Sequence, residues 1–327
     1  MDDNILLKVE DLRTHFFLDD GVLKALDGVS FHINKGETLG VVGESGCGKS
    51  LTALSIMRLV QSPPGKIVGG KIYFDREDIL QKSKHEMRKI RGSKISMVFQ
   101  EPMTSLNPVF TVGFQINETL RIHRGLSKHQ AKEKAIEILK MVDMPLPEQR
   151  YNEYPHQLSG GMRQRVMIAM ALSCNPSLLI CDEPTTALDV TVQAQILNLI
   201  NDLKKKLDMS IMMITHDLGV ISEIADRVII MYAGRIVEES SSRDIFLRPL
   251  HPYTEALLKS VPKINKKGEK LYMIKGMVPD LLDEHRGCLF APRCEFVKDI
   301  CLKEEPQLLP CNGRKVRCYK YSEGWEV

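Results

Sequence analysis

The sequence predicts an α/β fold built around a loop that binds phosphate, and three observations support this prediction. Residues 43–50 read G-E-S-G-C-G-K-S, which fits the pattern G-x-x-x-x-G-K-S. An apolar strand over 37–42 precedes this loop, and a helical apolar pattern over 51–57 follows it. Two further short apolar runs, 95–100 and 177–183, end in polar side chains, as strands of such a sheet do at its functional edge.

The glycine-rich loop has the chemistry of a P-loop. Its glycines let successive backbone N–H groups point into one concavity, where they bind phosphate oxygens. Lys49 places a positive charge on the outer phosphates, and the hydroxyl of Ser50 is a hard oxygen ligand for Mg²⁺. The chain is therefore predicted to bind a nucleoside triphosphate with Mg²⁺. The predicted phosphate-binding residues are Gly43, Ser45, Gly46, Cys47, Gly48, Lys49, Ser50 and Leu51.

Four polar side chains at strand ends suit hydrolysis of that nucleotide. Gln100 could bind Mg²⁺ or orient the attacking water. Asp182 is placed to hold Mg²⁺, directly or through its water, and Glu183 to polarise a water for in-line attack on the γ-phosphate. His216 could contact the γ-phosphate or the attacking water. Gln100, Glu183 and His216 are the predicted catalytic residues, and Ser50, Gln100 and Asp182 are the predicted Mg²⁺ ligands.

A second anion site is predicted where Ser159, Gly160 and Gly161 open a helix, because a helix N-terminus offers free N–H groups. One chain with two phosphate sites but a single P-loop suggests dimerisation. Upstream, residues 113–150 have a helical pattern, with a capping box from Ser127 to Gln130.

The first 42 residues alternate apolar and polar positions, which predicts antiparallel strands feeding the P-loop strand. Phe16 and Phe17 precede the first turn; either could stack on a purine or pack in the core. Residues 227–238 predict a hairpin, and the prolines and lysines after Ser240 predict a linker.

Composition limits the classes of function. A length of 327 residues suggests about two domains, and a net charge of +3 offers no electrostatic case for nucleic acid binding. The N-terminal stretch has no apolar core of a signal peptide, and no apolar run approaches the roughly 18 residues of a membrane span. Any membrane role is expected to come through a partner.

Five of the eight cysteines crowd the C-terminal tail. Four of them have the spacing C-x5-C-x6-C-x16-C, with Cys311 inside the last gap. This spacing contains no C-x2-C pair and does not match the common ferredoxin runs. It indicates four thiolates on one soft metal centre, either Zn²⁺ or an iron–sulfur cluster. The four positions are Cys288, Cys294, Cys301 and Cys318.

With these motifs in this order, residues from about 5 to 240 resemble the ATP-binding subunit of an ABC transporter. The Leu158–Gly161 and Ala187–Asp189 runs match the signature and the D-loop of that family. The resemblance implies that ATP binds between the P-loop of one subunit and the Ser-Gly-Gly turn of another. It also implies these roles: Phe16 stacks on adenine, Gln100 is the Q-loop residue, Ser159, Gly160 and Gly161 form the signature, Asp189 lies in the D-loop, and His216 is the switch histidine.

Residues 100–108, 183–191, 251–254 and 287–319 look like the dipeptide/oligopeptide importer branch, which also includes nickel importers. This resemblance implies a [4Fe–4S] cluster on the four spaced cysteines, with Cys311 as a bystander. It also implies a second, similar ATPase as partner in a heterodimer, a homodimer being possible. Two transmembrane permeases and an external substrate-binding protein complete the expected complex, at the cytoplasmic face of the cell membrane, where this subunit is peripheral.

The expected architecture is thus a P-loop NTPase core of the ABC type, with an antiparallel β subdomain, a helical subdomain and a small cysteine-rich extension. The ATPase domain is expected over 1–240, its helical subdomain over about 102–172 and the C-terminal extension over 241–327. The expected activity is ATP hydrolysis that powers peptide import.

A nickel importer ATPase of the same branch is the first alternative function. Two other classes of ABC ATPase fit the sequence less well. A DNA-repair ABC ATPase would insert a long coiled coil between P-loop and signature, but only about 110 residues without heptads intervene. A translation-factor type would carry two cassettes, and this chain carries one. The tail could instead sense iron or redox state.

Overall fold

The computed structural model describes residues 2–101, 105–186, 188–260, 272–282 and 285–322. Pro262 and the lysines at 266 and 267 of the predicted linker lie outside these residues, as do parts of two predicted motifs, Pro102 to Thr104 and Ala187. The chain divides into two compact units, which are described separately. The first comprises Met1–Ile33, Thr38–Leu80 and Ile214–Val327, and the second Asn34–Glu37 and Gln81–Met213.

The first unit contains the predicted antiparallel sheet. Its strands are β1 (Ile5–Leu18), β2 (Gly21–Asn34), β4 (Gly65–Phe74) and β5 (Glu77–Asp78), in the order β2-β1-β4-β5. β1 and β4 run antiparallel, with Leu7 opposite Phe74 and Phe16 opposite Gly65. The alternation of buried and accessible residues in β1 fits a strand with one face packed inward.

The same unit contains the strand that enters the P-loop, β3 (Thr38–Val42), all of whose residues are buried. The loop leads into α1 (Lys49–Ile56). β9 (Arg227–Tyr232) runs parallel to β3, and β10 (Arg235–Ser241) returns antiparallel to β9, as the hairpin prediction required.

Two strands of the C-terminal extension continue this sheet. β12 (Arg314–Val316) pairs with β10, placing Val316 opposite Glu238, and β11 (Leu309–Cys311) pairs with β12. The extension therefore shares a hydrogen-bonded sheet with the P-loop strand. Besides α1, the described helices of this unit are α8 (Leu218–Ile224), α9 (Ser242–Leu247), α10 (Pro252–Ser260) and α11 (Asp299–Lys303).

The chain after Ser240 is packed where a linker was predicted. β10 ends at Ser241, and α9 begins at the next residue, with the Ser241 hydroxyl accepting a hydrogen bond from the Asp244 N–H. His251 and Tyr253 are 1% and 0% exposed. The domain boundary at 240 remains a prediction.

The second unit contains helices and parallel strands. Its strands are β6 (Ile95–Val98), β7 (Leu178–Asp182) and β8 (Ser210–Ile214), in the order β8-β7-β6. Its helices are α2 (Lys84–Ile90), α3 (Val112–Arg124), α4 (Lys128–Met141), α5 (Pro147–Arg150), α6 (Gly160–Leu172) and α7 (Val190–Leu207).

The predicted capping box is present at the start of α4: Ser127 accepts from the Gln130 N–H, and the Gln130 side chain accepts from the Ser127 N–H. The apolar stripe of this helix is buried, including Ala131, Ala135 and Leu139. Sequence reasoning did not identify α2, which has a capping box of its own at Ser83.

No helix within the described ranges is long and apolar enough to cross a membrane.

Candidate active site

The P-loop needs glycine at two of its positions for steric reasons. A Cβ on Gly43 would overlap the carbonyl oxygen of Met231, so a larger residue would push the loop off strand β9. Gly48 has φ of 101°, a conformation that L-residues rarely adopt, and a Cβ there would lie 2.6 Å from the Leu26 side chain. The loop can therefore approach the sheet closely and present its N–H groups at the start of α1.

Lys49 closes over this loop. Its ammonium group donates to the carbonyl oxygens of Gly43 at 2.8 Å and Glu44 at 3.0 Å. The residue is only 5% exposed, so its charge is held in a partly desolvated place, where attraction to phosphate is stronger than in water. Ser50 follows in the first turn of α1. This geometry suits the predicted cradle for the outer phosphates.

The strand pairing brings Gln100 and Glu183 together. β6 and β7 are parallel with Val98 opposite Cys181, so the residues two positions further along also meet at the same edge. The Gln100 Nε2 donates to the Glu183 carboxylate at 3.0 Å, and the Thr186 hydroxyl donates to the same oxygen at 3.0 Å. Two donors therefore orient one carboxylate at the end of the sheet.

The backbone of Glu183 has φ of 47°, in the left-handed region, which is costly for a residue with a Cβ. Such strain persists where the surroundings hold the residue, and it clusters at functional sites. Asp182, one residue earlier, is 5% exposed and ends β7. The assignment of its carboxylate to Mg²⁺ remains a prediction.

The Ser-Gly-Gly turn begins α6 as predicted. The Ser159 hydroxyl accepts from the Met162 N–H at 3.3 Å. A Cβ on Gly161 would lie 2.8 Å from the Val192 side chain, so this glycine permits close packing against α7. Asp189 caps α7 by accepting from the Val192 N–H at 2.9 Å. The signature turn and the Asp189 turn thus lie side by side.

His216 lies just after β8 and is exposed. The residue before it, Thr215, donates its N–H to the carbonyl of Val41 at 3.2 Å, which ties this turn to the strand that enters the P-loop. Asp217 then caps α8 by accepting from the Gly219 N–H at 2.8 Å. His216 therefore lies on a turn that hydrogen bonds of Thr215 and Asp217 fix on both sides.

Phe16 and Phe17 point to opposite sides of β1, because side chains alternate along a strand. Thr14, two residues before Phe16 and on its side, is buried with its hydroxyl 2.9 Å from the Ser55 hydroxyl of α1. Phe16 therefore shares the side that faces the P-loop helix, and Phe17 is 51% exposed. The adenine-stacking role of Phe16 remains a prediction.

The four spaced cysteines line one cavity of the extension, together with His251 and Phe290. Burial raises the pKa of the Cys288 thiol to about 11 and that of the Cys318 thiol to about 12, and the nearby thiols add to both shifts. Burial also raises the pKa of the Cys294 thiol. Across the described ranges, no three or more His, Cys, Asp or Glu side chains are already arranged to hold a metal ion. The remaining tail cysteine, Cys311, lies in β11 opposite Arg314.

Of the three cysteines outside the tail, Cys47 and Cys181 are buried, at 3% and 0% exposure, as expected for small apolar side chains, whereas Cys174 is only partly buried. Burial raises the pKa of the Cys47 and Cys181 thiols, which keeps them protonated and unreactive.

Sequence reasoning missed a contact between the tail and the P-loop. Arg293 donates to both carboxylate oxygens of Glu44, at 2.7 and 3.0 Å. The Glu44 N–H donates to the Tyr253 hydroxyl at 2.9 Å. Arg293 is 249 positions from Glu44 along the chain, so no local pattern could have signalled the pair.

Together, the P-loop between β3 and α1 and the polar strand ends define a P-loop nucleoside triphosphatase. The ABC transporter family matches residues 26–186, and the family described as "Oligopeptide/dipeptide transporter, C-terminal region" matches residues 237–301. Two curated proteins are similar along nearly their whole length. The oligopeptide transport ATP-binding protein AppD of Bacillus subtilis is 56% identical over 97% of both chains, and the dipeptide transport ATP-binding protein DppD of Escherichia coli is 46% identical over 96% of both.

Among solved structures, the ATP-binding cassette MJ0796, described as a dimer in a post-hydrolysis state bound to ADP and Pi, superposes with a TM-score of 0.65. It is 31% identical, over 72% of this chain and 99% of its own. The chain belongs to the ABC transporter family of ATP-binding subunits, in the branch of the oligopeptide and dipeptide transport ATP-binding proteins. It is therefore an ATP hydrolase that uses ATP and Mg²⁺, and the predicted fold class is confirmed.

Proposed function

We propose that this chain is the ATP-binding and hydrolysing subunit that powers import of dipeptides or oligopeptides across the cytoplasmic membrane. The observation that carries the proposal is similarity along 97% of the chain to a protein named for oligopeptide transport, with the C-terminal region included. The subunit is then peripheral, at the cytoplasmic face of the membrane.

The site residues take the following roles in this proposal. Lys49 and the loop N–H groups bind the β- and γ-phosphates, and Ser50 and Asp182 hold Mg²⁺, which neutralises developing charge on the phosphates. Glu183 accepts the proton of the water that attacks the γ-phosphate, and the Gln100 amide keeps its carboxylate in place. His216 contacts the γ-phosphate, and Phe16 stacks on adenine.

The proposed partners follow from the same branch. Ser159, Gly160, Gly161 and Asp189 of this chain contact the nucleotide on the P-loop of a second, similar ATPase, and the signature turn of that ATPase completes the site on this chain. A heterodimer is proposed, and the dimeric state of the related cassette MJ0796 supports pairing in general. Two permeases and an external substrate-binding protein complete the transporter. The proposed domains are the ATPase domain 1–240, with a helical subdomain over about 102–172, and the extension 241–327.

Transport measured in reconstituted vesicles tests this function. The subunit, its partner ATPase, the permeases and the binding protein are inserted into liposomes, and uptake of a labelled dipeptide, a labelled pentapeptide and nickel ions is followed with and without ATP. We expect ATP-dependent uptake of a peptide. Nickel uptake without peptide uptake would contradict the proposal, and a complex with Lys49→Ala is the inactive control.

For the tail, we propose a [4Fe–4S] cluster on Cys288, Cys294, Cys301 and Cys318, with Zn²⁺ as the alternative. Support comes from the chemistry and placement of the donors: all four thiols line one largely apolar cavity, and each can ligate as a thiolate. Because burial raises the pKa of the Cys288, Cys294 and Cys318 thiols and keeps them protonated, metal binding would release protons. The cluster would cross-link the turns of the tail.

Metal analysis separates the two candidates. Protein purified without oxygen is expected to contain about four iron and about four acid-labile sulfide per chain, the content of one such cluster. Cys301→Ser should lose most of that iron, and the matched control Cys311→Ser should keep it. One zinc per chain without sulfide would contradict the cluster and show a structural zinc site instead.

A further inference from the structure

The tail reaches the P-loop through a chain of contacts within the first unit. Arg293 belongs to a short 3₁₀ turn, Ala291–Arg293, which lies between Cys288 and Cys294. Its side chain is only 4% exposed and makes a two-pronged ion pair with Glu44, whose side chain is 27% exposed. Such a bidentate pair is geometrically specific and stronger than a single hydrogen bond.

A second route runs through aromatic rings. Phe290, one residue before that turn, lies 5.5 Å from the Tyr253 ring and 5.3 Å from the Tyr232 ring. Tyr253 in turn accepts the Glu44 N–H at 2.9 Å. Phe290 also lines the cavity of the four cysteines. A displacement of the Ala291–Arg293 turn would therefore shift Glu44, the second residue of the P-loop, through both sets of contacts.

Glu44 itself explains why this contact matters. It carries a negative charge within a loop that binds the negative phosphates of ATP. Arg293 offsets that charge and holds the carboxylate in a defined place. Without the arginine, a partly buried carboxylate beside the phosphate site would repel the nucleotide.

We propose that Arg293 is a positioning residue that couples the cysteine cavity of the tail to ATP affinity through Glu44 and Tyr253. The coupling to nucleotide rests on the proposed ATP site. The coupling requires no particular metal, because it depends on the position of the Ala291–Arg293 turn. By linkage, ATP must then stabilise the contact of Arg293 with Glu44 to the same extent as this contact strengthens ATP binding.

The first test measures ATP affinity of the full chain with a fluorescent ATP analogue. Arg293→Gln is expected to weaken ATP binding about tenfold, because it leaves the negative charge of Glu44 without its partner beside the phosphate site. Arg293→Lys should recover part of that loss, because lysine restores the charge without the two-pronged geometry. Arg248→Gln, which removes an arginine that is 77% exposed and paired with Asp244, is the matched control and should bind like wild type.

A double-mutant cycle separates coupling from damage to the fold. Glu44→Gln removes the repulsive charge, so Glu44→Gln combined with Arg293→Gln should bind ATP more tightly than Arg293→Gln alone. Additive losses in the double variant, or unchanged affinity in Arg293→Gln, would overturn the proposal. Failure of the wild-type chain to bind ATP would instead refute the nucleotide site on which the proposal rests.

The second test measures the reactivity of two cysteines of the tail. The rate at which iodoacetamide alkylates Cys288 and Cys294 is measured by peptide mass spectrometry, with and without a non-hydrolysable ATP analogue. We expect the analogue to slow alkylation about tenfold in wild type, matching the affinity change, and to have no effect in Glu44→Gln. Equal protection in both chains would overturn the coupling. The comparison is made between samples of the same metal content, since thiolates that are bound to a metal or cluster resist alkylation.

Discussion

Glu183→Gln is expected to lower ATP hydrolysis by a factor of about 10² to 10⁴ while ATP binding persists. Glutamine keeps the size of the side chain and can still accept hydrogen bonds from Gln100 and Thr186 through its carbonyl oxygen. It cannot take a proton from the attacking water at neutral pH. Phosphate release measured with the complete transporter, beside nucleotide binding to the purified chain, checks both halves of the prediction.

The same variant should accumulate as an ATP-bound dimer, because hydrolysis is the step that releases the closed state. Size-exclusion chromatography with ATP would detect the larger species. Glu133→Gln, a change at a glutamate that is 68% exposed in α4, is the matched control and should hydrolyse ATP at the wild-type rate. Wild-type turnover in Glu183→Gln would remove Glu183 from the catalytic role.

Lys49→Ala is expected to weaken ATP binding by about 100-fold or more, because it removes a charge-assisted hydrogen bond to phosphate from a partly desolvated site. Direct titration with ATP and Mg²⁺ measures this effect. ADP should lose less affinity than ATP, since the ammonium acts on the outer phosphates. Unchanged ATP affinity would refute the assignment of Lys49 to the phosphate cradle.

The ammonium of Lys49 also bridges two loop carbonyls, so the variant needs a check on folding. A thermal unfolding curve recorded without nucleotide provides it, and a transition close to that of wild type would assign the lost affinity to the missing charge. Lys205→Ala, which removes an exposed lysine from α7, should leave both the unfolding transition and ATP affinity unchanged.

Helical caps, turns and the P-loop were predictable because their signals are local. Ser127 and Gln130 form a capping box within one turn of helix, and the loop from Gly43 to Ser50 carries its own steric requirements. The same local signal was present for α2, where Ser83 precedes Glu86 by three residues, but this helix has only 7 residues, and its basic residues outnumber its apolar ones. The order of motifs along the chain also sufficed to predict the family, which similarity to curated proteins confirmed.

Contacts between distant parts of the chain needed the tertiary structure. The parallel register of β6 and β7 places Gln100 on Glu183, although 83 positions separate them. The tail was expected as a small appended module, yet β12 pairs with β10 and Arg293 binds Glu44 in the P-loop.

The amino-acid sequence thus determines the chemistry of this protein: a P-loop, polar strand ends and a set of thiols, each encoded within a few residues. Tertiary structure decides which of these groups meet. The physical reason is that caps and turns depend on hydrogen bonds between near neighbours, whereas the placement of Arg293 on Glu44 depends on how the sheet and the tail pack in the folded chain.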